Sequence, residues 1–150
     1  MAQGIEDRGI FAQSRDRLLR QERDASQYSP LNLAFIGDSV FELVVRTILV
    51  EQANRPVREL QRRAGRILSA AMQAQMAEKI VPLLTEEEEA IYRRGRNAKP
   101  HTKAKNATLS DYLKATGLEA LIGYLYLKGE DDRARALIRL GMEVAEASIE

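Results

Sequence analysis

One long apolar stretch, residues 31–51, constrains the fold of this chain more than any other segment. It reads LNLAFIGDSVFELVVRTILVE and places apolar residues on nearly every face of a helix of roughly five turns or more. Such a helix has to be buried on several sides, which predicts a helix at the core of the domain. Within it, Gly37 precedes Asp38. A buried carboxylate is costly unless it is paired, hydrogen-bonded or bound to a metal, so Asp38 is either a structural anion or a functional group.

A second stretch, residues 114–128, has the same character. It reads KATGLEALIGYLYLK, and Glu119 is its only acid. Gly123 lies four residues further on, on the same helix face, and lets another element approach closely. Packed helices have axes roughly 8–10 Å apart, so side chains from two such helices can reach one ion between them. The two segments together predict that Asp38 and Glu119 form one carboxylate site.

Composition indicates a single all-α domain. The chain of 150 residues is 45% hydrophobic, rich in helix-forming residues, and contains four prolines. It has no cysteine, which excludes disulfides and thiolate metal sites and suits a reducing, cytoplasmic setting. Residues 1–27 are too highly charged for a secretory signal or membrane anchor, so we expect a charged, disordered extension there and the folded domain over 28–150.

Boundary signals divide the domain into helices. Ser29 followed by a proline marks a helix start, and Thr85 with Glu88 predicts a capping box. Between them, apolar residues at helical spacing predict a helix from about residue 57 that continues to about residue 82. Ser110 is the expected N-cap of the helix carrying Glu119, and Gly129 is expected to end it.

A basic segment, residues 93–105, reads RRGRNAKPHTKAK and contains six lysines or arginines and no acid. Gly95 and Pro100 favour a loop, and cations on a loop beside a carboxylate site suit a polyanionic ligand. His101 fits a phosphate contact or plain surface better than a general base. The candidate RNA-binding residues are Arg93, Arg94, Arg96, Lys99, His101, Lys103 and Lys105. A second set of arginines, between Arg55 and Arg66, indicates either a solvated helix face or a phosphate-contacting surface.

Several of these motifs resemble the ribonuclease III family. FIGDSVFELVV (35–45) is similar to its signature motif, and LEALIGYLYL (118–127) to its second acidic motif. RRGRNAK (93–99) and SAAMQAQ (69–75) resemble the Mini-ribonuclease III branch, which consists of the nuclease domain alone. Larger members of the family carry further acids at two positions where this chain has Ala34 and Thr116. The Mini-ribonuclease III branch resembles this chain at both positions, so the resemblance does not imply a four-carboxylate site.

The resemblance implies a homodimeric endoribonuclease that cuts double-stranded RNA. Asp38 and Glu119 would be its catalytic and metal-binding residues, with Mg²⁺ as the cofactor and Mn²⁺ as a substitute. The implied substrate is the precursor of large-subunit (23S) ribosomal RNA, with a ribosomal protein as an expected helper, in the bacterial cytoplasm or a plastid. Glu42, one turn after Asp38, is either an outer acid of the site or a helix-surface charge.

Two other functions remain open from the sequence. One is a non-catalytic RNA-binding protein with the same fold, which has no reason to keep two buried acids. The other is a helical protein-interaction module, which has no need of an acid-free basic segment.

Overall fold

The structure, a computed structural model, describes residues 24–99 and 108–149, and within those ranges it is all-α, as predicted. A short 3₁₀ turn (Ala25–Gln27) leads into the first helix, and a second one (Val81–Leu83) separates the third helix from the fourth. The six helices of the described ranges are α1 (Pro30–Gln52), α2 (Val57–Ile67), α3 (Ala70–Ile80), α4 (Glu86–Asn97), α5 (Leu109–Lys128) and α6 (Asp131–Ile149). None of the helices in these ranges is long and apolar enough to cross a membrane.

The fifth helix is the centre of the domain. From Ala115 to Leu125 every residue of α5 except Glu119 is buried, and α1, α3 and α4 all pack against it. The sequence predicted that α1 would be buried on several sides and that it has more apolar faces than one small domain can cover. In the described chain α1 buries one side, and its other side leaves Phe35 81%, Leu43 46% and Val50 60% exposed.

The predicted capping signals are confirmed at three boundaries. The Ser29 hydroxyl accepts a hydrogen bond from the Asn32 amide, 3.2 Å away, with Pro30 as the first residue of α1. Thr85 and Glu88 form the reciprocal capping box at the start of α4. Gly129 ends α5 in the left-handed conformation, with φ of 83°, which glycine adopts at little cost.

Three predicted boundaries were wrong. The helix expected from residue 57 to about residue 82 is interrupted after Ile67, because the Ser69 hydroxyl accepts from the Met72 amide and starts α3. Gly95 was expected to favour a loop but lies inside α4, which continues to Asn97. The absence of a side chain at Gly95 allows α5 to pack closely against α4. The N-cap of α5 is Thr108 rather than Ser110.

A buried ion pair fastens α4 to the last helix. Glu88 is 5% exposed, and the Arg133 guanidinium donates to both of its carboxylate oxygens, at 2.8 and 2.9 Å. These hydrogen bonds from Arg133, with that of the Thr85 amide, hold the pKa of Glu88 below its usual range despite burial. The pair therefore fixes the start of α4.

Candidate active site, a carboxylate pair at a helix crossing

The candidate site lies where α1 and α5 cross in direct backbone contact. A Cβ atom on Gly37 would stand 1.8 Å from the Glu119 carbonyl oxygen and 2.7 Å from the Gly123 nitrogen. A Cβ atom on Gly123 would stand 1.9 Å from the Leu33 carbonyl oxygen. The two glycines are therefore required for the crossing itself, and no other residue fits at either position.

This crossing brings the two predicted acids together. Because Gly37 packs on the backbone of Glu119, the next residue, Asp38, lies close enough to the Glu119 side chain to influence its titration. Burial, together with the neighbouring Asp38, raises the pKa of Glu119 from 4.5 to about 9. Two carboxylates so close cannot both ionise cheaply unless a cation lies between or beside them.

The two acids differ in their exposure. Glu119 is half-buried, whereas Asp38 is exposed, so the expectation that α1 encloses Asp38 was wrong for the described chain. The reason is that α1 packs on α5 through one side only, and Asp38 lies at the edge of that side. Glu42 forms an ion pair with Arg46 (2.7 Å) on the exposed surface of the same helix.

The donor set is small. Ala34 is buried and apolar, and the Thr116 hydroxyl donates to the Tyr112 carbonyl at 3.0 Å. In the described ranges no cluster of three or more potential metal-ligating residues occurs. Mg²⁺ keeps several waters and is commonly bound by one or two carboxylates, so the Asp38–Glu119 pair fits a hydrated divalent cation.

The basic residues at the end of α4 have different environments. Arg93 is exposed and pairs with Glu89 at 3.1 Å, one turn back along α4. The Arg96 guanidinium lies 5.9 Å from the centre of the Tyr92 ring and is exposed to solvent. Lys99 is exposed where the described range stops. The predicted RNA contacts His101, Lys103 and Lys105 lie outside the described residues.

Arg94, unlike Arg93 and Arg96, binds backbone carbonyls of another segment. Its two terminal nitrogens donate to the backbone carbonyls of Ser26 (2.8 Å) and Tyr28 (3.1 Å). The sequence grouped Arg94 with the phosphate-binding cations and did not predict this contact. No short-range pattern signals a bond between residues so far apart in the chain.

Three of the arginines of the second set surround a single acid. Glu59 lies within 4.0 Å of Arg55 and Arg62 and 3.1 Å of Arg63. Arg58 and Arg66 are exposed and form no ion pair within the described ranges. The outer side of α2 therefore carries excess positive charge. A side chain at Gly65, on the same side, would meet nothing within 4 Å.

Comparisons with known proteins identify the family and agree with the all-α fold. The family model of the ribonuclease III domain matches residues 31–130. The chain is 47% identical to the Mini-ribonuclease 3 of a Thermoanaerobacter species, over 79% of this chain and 83% of that protein. It is 39% identical to the Mini-ribonuclease 3 of Clostridium tetani, over 85% of both chains. A Fusobacterium nucleatum protein solved by crystallography matches with a TM-score of 0.72 and 30% identity, over 81% of this chain and 98% of that one.

Proposed function

The chain belongs to the ribonuclease III family, and we propose that it is a divalent-metal-dependent endoribonuclease that cleaves double-stranded RNA. The observation that carries this proposal is the convergence of Asp38 and Glu119 at the glycine crossing of α1 and α5. The names of its relatives support the same activity.

The two carboxylates have one principal task in this proposal, which is to hold the cation. A bound Mg²⁺, or Mn²⁺ in its place, supplies Lewis acidity and an activated water for phosphodiester hydrolysis. Glu119 would hold the cation as its carboxylate and would release its proton on binding, because the positive charge would offset the repulsion from Asp38 and the cost of burial. The backbone contact at Gly37 keeps the two groups in register before substrate arrives.

The RNA is held by cations around this site. Duplex RNA is recognised largely through its phosphates, 2′-hydroxyls and shape, so exposed basic side chains are sufficient to bind it. We assign this role to Arg93, Arg96 and Lys99 and, beyond the described range, to His101, Lys103 and Lys105. The outer side of α2, with Arg58 and Arg66, offers a second positive surface.

A second copy of the chain completes the enzyme. Phe35, Leu43 and Val50 form an exposed apolar stripe along one side of α1. Single exposed apolar side chains are common on protein surfaces, whereas several on one side of a helix suggest an interaction surface. A two-fold-related copy would cover it and place two carboxylate pairs on one duplex, so that both strands are cut. We assign as substrate the precursor of 23S ribosomal RNA, with a ribosomal protein as helper, in the bacterial cytoplasm.

The decisive experiment is cleavage of a labelled RNA duplex with and without Mg²⁺. The parent protein should cut the duplex only with metal and should leave the single strands intact. Asp38→Asn and Glu119→Gln should each abolish cleavage while keeping the helical circular-dichroism spectrum. Glu51→Gln is the matched control, since Glu51 is an exposed acid on the same helix as Asp38. Full activity of either site variant would contradict the assignment, and duplex binding without any cleavage would favour the non-catalytic alternative.

The basic surface is tested by salt dependence. Replacing Arg93, Arg96 and Lys99 with alanine should raise KM for every duplex sequence and leave turnover at saturating RNA nearly unchanged. The slope of log affinity against log salt should flatten by roughly 0.7–0.9 for each phosphate that the protein no longer neutralises, judged from DNA values. Arg139→Ala, an exposed arginine on α6, is the control. If the triple variant binds like the parent at every salt concentration, the α2 surface is the one that holds the RNA.

A further inference from the structure

Arg94 binds the segment through which the chain enters α1. Its guanidinium forms a two-pronged contact with backbone carbonyls two residues apart, those of Ser26 and Tyr28. The planar fork of arginine suits such a contact, and the compact ammonium group of lysine does not reproduce its two parallel donors. Among the described residues, Arg93 and Arg96, on either side, interact only within their own helix.

This segment is itself ordered up to the first residue of α1. Asp24 caps the 3₁₀ turn by accepting from the Ser26 amide at 3.0 Å, and Ala25 is buried in the core. Ser29 then caps α1. An anchor at residues 26 and 28 therefore fixes where α1 begins, and Asp38 follows in the third turn of that helix.

The residue after Arg94 contacts the other acid-bearing helix. A Cβ atom on Gly95 would stand 2.7 Å from the Ala120 Cβ and 3.0 Å from the Gly117 Cα, both on α5. Ala120 directly follows Glu119 in the chain. Two consecutive residues of α4 thus hold the entry to α1 and the middle of α5.

We propose that Arg94 is a positioning residue, which sets Asp38 relative to Glu119 through the start of α1, and that it does not bind phosphate. This inference rests on the proposed nuclease activity, because the acid pair is the group positioned. All four basic residues of the RRGRNAK segment are exposed, and it divides between two tasks, with Arg93, Arg96 and Lys99 available to bind RNA and Arg94 holding the backbone that leads into α1.

The test compares Arg94→Lys and Arg94→Ala with Arg93→Ala in the full chain. Duplex-RNA cleavage is measured at saturating RNA, across a salt series and across a Mg²⁺ titration, at a temperature where circular dichroism shows the folded state. Both Arg94 variants should lose about 10-fold or more in kcat, since small misplacements of catalytic groups are costly. Both should also need several-fold more Mg²⁺ for half-maximal activity, with an unchanged salt slope. Arg93→Ala should instead raise KM and flatten that slope.

Three outcomes would overturn the inference. If Arg94→Lys behaves like the parent while Arg94→Ala flattens the salt slope, Arg94 is a phosphate contact. If kcat and the Mg²⁺ requirement stay at parental values and only the melting temperature falls, Arg94 serves stability alone. Arg94 likewise serves stability alone if neither variant is folded at the assay temperature. Failure of the proposed function is distinguishable, because in that case the parent itself leaves duplex RNA intact.

Discussion

Replacing Glu119 with glutamine should stabilise the metal-free protein at neutral pH, although it removes a residue of the site. Burial and the adjacent Asp38 raise the pKa of Glu119 to about 9, whereas the unfolded carboxyl titrates near 4.5. Between these values the folded state holds one proton more than the unfolded state. The stability of the parent therefore falls as pH rises through this window, by up to about 1.4 kcal/mol per pH unit.

The size of the effect follows from that slope. At pH 7.5 the parent should have lost at most about 4 kcal/mol relative to pH 4.5, and Glu119→Gln loses none of it because an amide does not ionise. We expect the variant to be more stable than the parent by about 2–4 kcal/mol at pH 7.5 and by less than about 1 kcal/mol at pH 5.

Urea unfolding followed by circular dichroism in EDTA measures this difference directly. Glu51→Gln, an exposed acid on α1, should unfold like the parent at both pH values. Adding Mg²⁺ should then restore the parent, by about 2.7 kcal/mol at a concentration 100-fold above its dissociation constant, and should change the variant much less. Equal stability of parent and Glu119→Gln at pH 7.5 in EDTA would refute the reasoning, because the pKa of Glu119 would then not be raised in the folded state.

Three further predictions concern packing, assembly and the ion pair of α4. Gly37→Ala should destabilise the fold by more than about 3 kcal/mol in urea unfolding, because the added Cβ would overlap the Glu119 carbonyl oxygen. The control Gly65→Ala should be neutral or stabilising by about 0.5–1 kcal/mol, and equal effects of the two variants would contradict the close crossing. Phe35→Glu should convert a dimer into a monomer in sedimentation equilibrium, and an unchanged mass would remove the α1 stripe as the interface. Glu88→Ala should cost about 1.5–3 kcal/mol, since Arg133 loses its carboxylate partner but is partly exposed and keeps its hydrogen bond to the Leu83 carbonyl; a loss below about 1 kcal/mol, roughly that of a surface pair, would show that the pair is not effectively buried.

The acid pair could be predicted from sequence because its signals are local. An acid next to or one turn from a glycine, inside an apolar helix, marks both Asp38 and Glu119, and the close approach expected at Gly123 is confirmed by its contact with the Leu33 carbonyl. Helix starts at Ser29 and Thr85 were equally readable, because a capping side chain bonds within its own turn.

Other features of the fold and the site depend on which surfaces pack against each other, and no local sequence pattern indicates such long-range contacts. The apolar side of α1 with Phe35 reads like core, and sequence cannot tell a side covered by the same chain from one left exposed. Gly95 predicts a loop by its residue type, although its small size serves contact with Ala120. Arg94 looked like its basic neighbours, and only the fold shows that its guanidinium holds the backbone at Ser26.

The crossing of α1 and α5 also determines when the proposed activity can arise during synthesis. A chain that has left the ribosome only as far as α4 contains Asp38, but it lacks Glu119 and the glycine against which α1 packs. Contacts between segments so distant in sequence form late, after most of the chain is available. A nascent chain therefore has no assembled site while α5 is still within the exit tunnel. An enzyme that cuts RNA would in this way acquire its activity only after α5 has left the ribosome.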